Sequence, residues 1–233
     1  MRLLPFLRLP LLACSVPACL LAVAASTAHA QEAAAITAET DRYLSCLERV
    51  ESDQDAAFED ALAWRMQGGG WPAAHCEARA IIALGDGARG AAMLDELAMT
   101  EVSDQDLPAR ITMLVEAGQA WLSLEQADAA QASFAAALEL DALDGAALLG
   151  RAKADVALGD WEAADAAATA VIDQTPGLVD GWRLRAQARL ETGALDAAWQ
   201  DLETAREIEP ANIDLLVLRG RINEARRLAA LEN

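Results

Sequence analysis

An all-α protein is what this sequence predicts, and three observations carry the prediction. Alanine dominates a composition that is 54% apolar yet only 4% aromatic. Such a chain suits closely packed helices and offers few β-branched or aromatic side chains for the faces of a sheet. Small residues recur at a fixed step, since Gly118, Ala152, Ala186 and Gly220 each lie 34 residues apart. Three further columns keep that step: Ala130, Ala164 and Ala198; Ala137, Val171 and Ala205; Ala142, Pro176 and Pro210. A constant period of this length marks stacked supersecondary units.

The N-terminus reads as a leader rather than as part of the fold. Arg2 and Arg8 precede an uncharged run from Leu9 to Ala25, and Ala28-His29-Ala30 supplies small residues at the −3 and −1 positions of a cleavage site. This is the pattern of a secretory signal peptide spanning residues 1–30, cut after Ala30. Pro10 and Pro17 interrupt the run, which weighs against a membrane anchor. Lipid attachment at Cys14 or Cys19 is the other alternative, with Leu11-Leu12-Ala13-Cys14 resembling a lipobox. The expected location is therefore periplasmic or secreted. Losing the leader removes two arginines and no acid, leaving 16 basic against 37 acidic residues and a net charge of −21. A chain so acidic argues against nucleic acid as a partner.

Helices follow in pairs. Thr37 to Glu51 and Gln54 to Met66 form the first pair, and Gly68-Gly69-Gly70-Trp71-Pro72 reads as a loop. Residues 72–99 read as two helices around Gly85-Asp86-Gly87, with Ala78 and Gly90 at the small-residue places. Val102 to Pro108 reads as a polar connector. Residues 37–104 are thus expected to be irregular or degenerate helical repeats, a separate helical domain being the alternative. Regular repeats are assigned to 111–144, 145–178 and 179–212. A final helix within 213–233 carries Arg221, Arg226 and Arg227 on its exposed side and reads as a solvating cap, which a solenoid needs at its end.

Each column has a physical reason. A small residue such as Ala186 allows two helix backbones to approach closely where a larger one would splay them. Gly159 and Gly193 fall between helices, where a left-handed residue ends the first. Pro176 and Pro210 exclude the preceding residue from the helical region and close each second helix. Arg185 is within reach of Asp201 on its partner helix, so a structural ion pair is expected there.

Trp182, Ala186, Gly193, Ala198, Ala205 and Pro210 together resemble the tetratricopeptide repeat (TPR), a helix-turn-helix unit. Departures are Glu125-Gln126 in place of Gly-Asp, Ala142 in place of Pro, and Asp155 where an aromatic is usual. The resemblance implies a right-handed superhelical solenoid of antiparallel helix pairs with a C-terminal capping helix. It also implies a non-catalytic scaffold that receives a partner protein or peptide in a concave groove. Carrying over the groove offsets selects Gln119, Lys153, Arg183, Gln187 and Arg221 as candidate binding residues. Lys153, Arg183 and Arg221 are nominated as an anchor for a carboxylate, amid small and apolar neighbours. The Asn-containing carboxylate clamp of chaperone-binding TPR domains is absent. A structural or self-associating subunit of a cell-envelope assembly is the alternative.

Chemistry-bearing residues are few after the leader. Cys46 and Cys76 are expected to form a disulfide in an oxidising compartment, because first helices of successive units lie side by side. The bridge would contribute roughly 3 to 4 kcal/mol by closing the loop between them. A His75, Cys46 and Cys76 metal site or a redox pair is the weaker alternative, lacking a fourth ligand or Cys-x-x-Cys spacing. No nucleophile elbow, zinc-protease, P-loop or dinucleotide motif occurs, so no enzyme activity, cofactor or metal is expected.

Overall fold

The computed structural model describes residues 37–100, 102–103 and 106–231. The leader with its cleavage point, Cys14 and Cys19 lies outside them. Residues 1–45 and 46–233 form two compact units, and the described part of the first is helical. Among the described residues there are eleven helices and no strand. They are α1 (residues 37–52), α2 (Gln54–Met66), α3 (Gly70–Ala83), α4 (Gly87–Thr100), α5 (Leu107–Ser123) and α6 (Ala127–Leu140). Then come α7 (Gly145–Leu158), α8 (Trp161–Gln174), α9 (Val179–Glu191), α10 (Leu195–Ile208) and α11 (Ile213–Ala229). From α2 onward each helix packs on its neighbour in the chain.

Starts and stops follow local chemistry. The side chains of Asp53, Asp144 and Asp160 accept hydrogen bonds from the backbone N–H three residues on, and Asn212 accepts from Asp214 and Leu215. Each cap satisfies donors that the helix itself cannot. Gly85, Gly159 and Gly193 end α3, α7 and α9 with φ of 96°, 73° and 79°. Glu125 holds the same turn after α5 at φ 60°, bearing a side chain in the left-handed region that Gly occupies elsewhere.

Two local expectations are corrected. The breaker run is not a loop throughout: α3 already begins at Gly70 and includes Trp71 and Pro72. Proline fits a first helical turn because its missing N–H would have no intrahelical acceptor. Likewise α5 begins at Leu107 with Pro108 in its first turn, which shortens the connector, and Val102 is buried in the core rather than displayed as part of a polar link.

Packing varies along the stack. The broadest apolar cluster joins α3 to α7 around Phe134, which is fully buried. A Cβ built on Gly118 would come within 2.7 Å of the Phe134 ring, and one on Gly150 within 2.2 Å. The ring therefore fills the space that two glycines leave. A smaller cluster of Val50, Ala57, Ala61, Ala80 and the two cysteines links α1, α2 and α3. Cys46 and Cys76 stand at disulfide distance with Cα atoms 6.2 Å apart.

Around α9 the contacts turn ionic. Arg185 donates to both oxygens of Asp201 at 2.8 and 3.0 Å, and Arg189 donates to Asp201 at 2.8 Å and to Asp165 at 2.7 Å. Thr169 accepts from Arg185 at 3.2 Å, so one cluster ties α8, α9 and α10 together. Asp201 is buried, which such charge-assisted bonds permit. In the middle repeat Asp155 plays the acceptor instead, receiving hydrogen bonds from Arg151 on its own helix and from Gln131 of α6.

Candidate peptide-binding groove

α5 touches α7, α7 touches α9 and α9 touches α11, whereas the even-numbered helices make their main contacts with chain neighbours alone. Helices that approach one another along a stack lie on its inner side. The odd helices of residues 46–233 thus form a concave face, and a residue one place after each small-residue column points along it. That column reads Arg79, Gln119, Lys153, Gln187 and Arg221.

The structure assembles the five candidate residues into two neighbourhoods. Arg183, Gln187 and Arg221 share a depression of about 290 Å³ with Asp214, Val217 and Leu218. Lys153 reaches toward it through Asp180, whose carboxylate lies 3.2 Å from the Lys153 ammonium and accepts from Arg183 at 3.0 and 3.1 Å. Gln119 instead lines a second depression of about 340 Å³, with Val50, Glu51, Arg79, Ile82 and Glu116.

The expected cationic anchor is altered by its surroundings. Asp180 sits between Lys153 and Arg183, and Arg221 is paired with Glu191. Burial alone would raise the Asp180 carboxyl, but Arg183 and Lys153 outweigh it and hold the group below the ordinary carboxylate range. None of the three cations is a bare anion site. The groove floor presents both signs, each already balanced, so an incoming charge has to exchange partners.

The N-terminal neighbourhood was not singled out in the sequence. Glu116 holds it together: its Oε1 accepts from Arg79 at 3.0 Å and its Oε2 lies 2.6 Å from Nε2 of the buried His75. Arg79 also donates to Glu51 at 3.2 Å. A signal did exist, because Arg79 follows Ala78 as Gln119 follows Gly118. His75 is thereby committed to Glu116. Among the described residues, no three His, Cys, Asp or Glu side chains gather to hold a metal ion.

Helix pairs at a 34-residue step with an inner face of odd helices define the tetratricopeptide-repeat fold, and solved structures share it. YrrB, described as a TPR protein with an unusual peptide-binding site, is similar over 76% of this chain and 87% of its own, with a TM-score of 0.62 and 18% identity. A MamA RS-1 double mutant matches over 75% of this chain and 94% of its own, with a TM-score of 0.62 and 16% identity. Another MamA structure matches over 74% and 92%, with a TM-score of 0.61 and 16% identity. No family model matches the sequence, and no curated protein does.

Proposed function

We propose that this chain is a non-catalytic scaffold that binds a partner protein or peptide in the concave groove. The observation that carries the reading is the polar column Arg79, Gln119, Lys153, Gln187 and Arg221, set at one position of successive inner helices. Val115, Leu149, Val156, Leu190 and Val217 stand between these groups as apolar contacts at the remaining groove offsets. An extended or helical peptide with alternating polar and apolar positions suits such a surface. Because Asp180, Glu191 and Glu116 already neutralise the basic groups, the ligand we favour carries both signs and exchanges ion pairs as it seats. The described peptide-binding site of YrrB, a protein of the same fold, supports this use of the architecture.

The test is a photo-crosslinking amino acid placed at Gln119 or Gln187, with capture in the native cell envelope and identification of the bound peptide. Lys153→Glu, Arg183→Glu and Arg221→Glu together are expected to abolish capture while leaving helical content unchanged. Capture that survives all three would refute the groove reading.

The compartment belongs to the same proposal. The leader at residues 1–30 directs the chain to the periplasm, where Cys46 and Cys76 oxidise. No helix among the described residues is long and apolar enough to cross a membrane. Mass spectrometry of the envelope-derived chain is expected to find an N-terminus at Gln31 and no reactive thiol before reduction. An intact leader, or two labelled cysteines, would contradict it.

A further inference from the structure

α11 is the first helix of a repeat that has no second helix among the described residues. Leu216 stands 34 residues after Trp182, Arg219 after Arg185, Gly220 after Ala186 and Asn223 after Arg189. In the preceding repeat, α10 covers that face: Ala198 and Leu202 pack in one cluster with Ala186, while Asp201 receives Arg185. On α11 the same face is open. A Cβ at Gly220 would meet nothing within 4 Å, and Leu216 is 49% exposed where its counterparts Leu114 and Leu148 are 1% and 8% exposed. Ile213 and Leu231 extend the apolar stripe. The side expected to be a solvating polar cap is therefore partly apolar.

Charge says what should lie there. Arg221, Arg226 and Arg227 are paired with Glu191, Asp196 and Glu224. Arg219 makes no hydrogen bond or ion pair among the described residues. Its counterpart Arg185 binds Asp201 on the covering helix and Thr169 on the helix before; Glu203, 34 residues after Thr169, is held by Arg206 instead. So Arg219 lacks the carboxylate that the architecture places opposite it. With four arginines against Asp214 and Glu224, α11 is a net-positive element in a chain of charge −19.

We propose that the open face of α11 is a docking seat for an amphipathic helix of another protein, built like the inward face of α10. That helix presents a small residue over Gly220, a carboxylate three positions later to Arg219, and a leucine beside it against Leu216. The seat lies outside the groove column and serves a second, separate contact.

The test uses the full chain without its leader and a helix-stapled peptide of residues 193–209, stapled between Gln200 and Glu207, both exposed in α10. Saturable binding is expected in fluorescence anisotropy, with a photo-crosslinker at Leu216 capturing the peptide. Arg219→Glu in the chain, Asp201→Asn in the peptide and Gly220→Leu in the chain should each weaken binding at least about tenfold. Gly220 faces open space, so Gly220→Leu is expected to fold normally, which circular dichroism checks. Lys153→Glu with Arg183→Glu should leave this binding unchanged, separating it from the groove. Absence of binding, or equal binding to the Arg219→Glu and Gly220→Leu chains, overturns the proposal. So does a chain that self-associates in sedimentation and becomes monomeric on Gly220→Leu, which would assign the face to a second copy.

Discussion

The first and third regular repeats share one backbone plan and are held by opposite chemistry. Between α5, α6 and α7 a single buried aromatic ring, Phe134, fills the crossing where Gly118 and Gly150 leave room. Between α8, α9 and α10 the equivalent space holds Leu202, and two arginines converge on a buried carboxylate. The column that accepts Gly opposite Phe134 accepts Ala at 152 and 186, where the facing residues are the smaller Ala168 and Leu202. What the architecture demands at a crossing is therefore a summed volume, which either partner can supply.

The largest way to break this comparison is Phe134→Ala. Removing a fully buried ring wedged between glycines should cost about 3 to 5 kcal/mol, since glycine neighbours have no side chains with which to close the cavity. Urea denaturation followed by circular dichroism measures it, and a loss below about 1 kcal/mol would show that the ring is not the keystone of the first repeat.

Asp201→Ala should cost somewhat less, about 3 kcal/mol, by leaving Arg185 and Arg189 without their shared acceptor. Those arginines are 13% and 26% exposed and recover some hydration, which places the effect at the low end. Replacing all three groups, as Arg185→Met, Arg189→Leu and Asp201→Leu, should restore most of the stability. An apolar third repeat that stays as unstable as the single variant would mean the ions do more than fill space.

Turn chemistry sharpens the comparison on a smaller scale. Glu125→Gly should stabilise the first repeat by somewhat under 1 kcal/mol, as relief of the left-handed strain outweighs the added freedom of the unfolded chain. Gly159→Ala should destabilise the next by about 1 kcal/mol. Thermal melts of the two variants should move in opposite directions.

The smallest effects are in pH dependence, where the two regions again differ in sign. Burial raises the carboxyl of Asp95, against hydrogen bonds from Trp121 and Ser133 of the first repeat. The folded state then binds that proton more readily than the unfolded one, so acidification from about pH 6 toward 4 favours folding through Asp95. Asp180, held low by Arg183 and Lys153 against its burial, contributes stability above the ordinary carboxylate value that is lost as pH falls below about 4. Asp95→Asn should remove the gain and Asp180→Asn the loss in denaturation curves taken from pH 3 to 7.

Much of the inner face could be read in advance because a residue's column fixes its direction once the 34-residue step is known. Arg185 and Asp201 were expected to meet for that reason. Arg79 escaped notice because residues 37–104 keep no exact step, so its place beside Ala78 had no column to confirm it. The balancing of Lys153, Arg183 and Arg221 also escaped, since Asp180 and Glu191 are two among 37 acids and nothing in their spacing marks them as partners. The exposure of Leu216 and Ile213 was hidden by the arginines between them.

Sequence alone sufficed for the helical class, the repeat length and the column that looks into the groove. Those follow from local turn chemistry and from a period, both properties of one dimension. Only the packed chain decided that a ring fills one crossing and an ion cluster another, that the groove cations are already paired, and that α11 leaves a face uncovered. Such outcomes depend on distances between side chains far apart in the chain, which the stacking of helices creates and no single stretch contains.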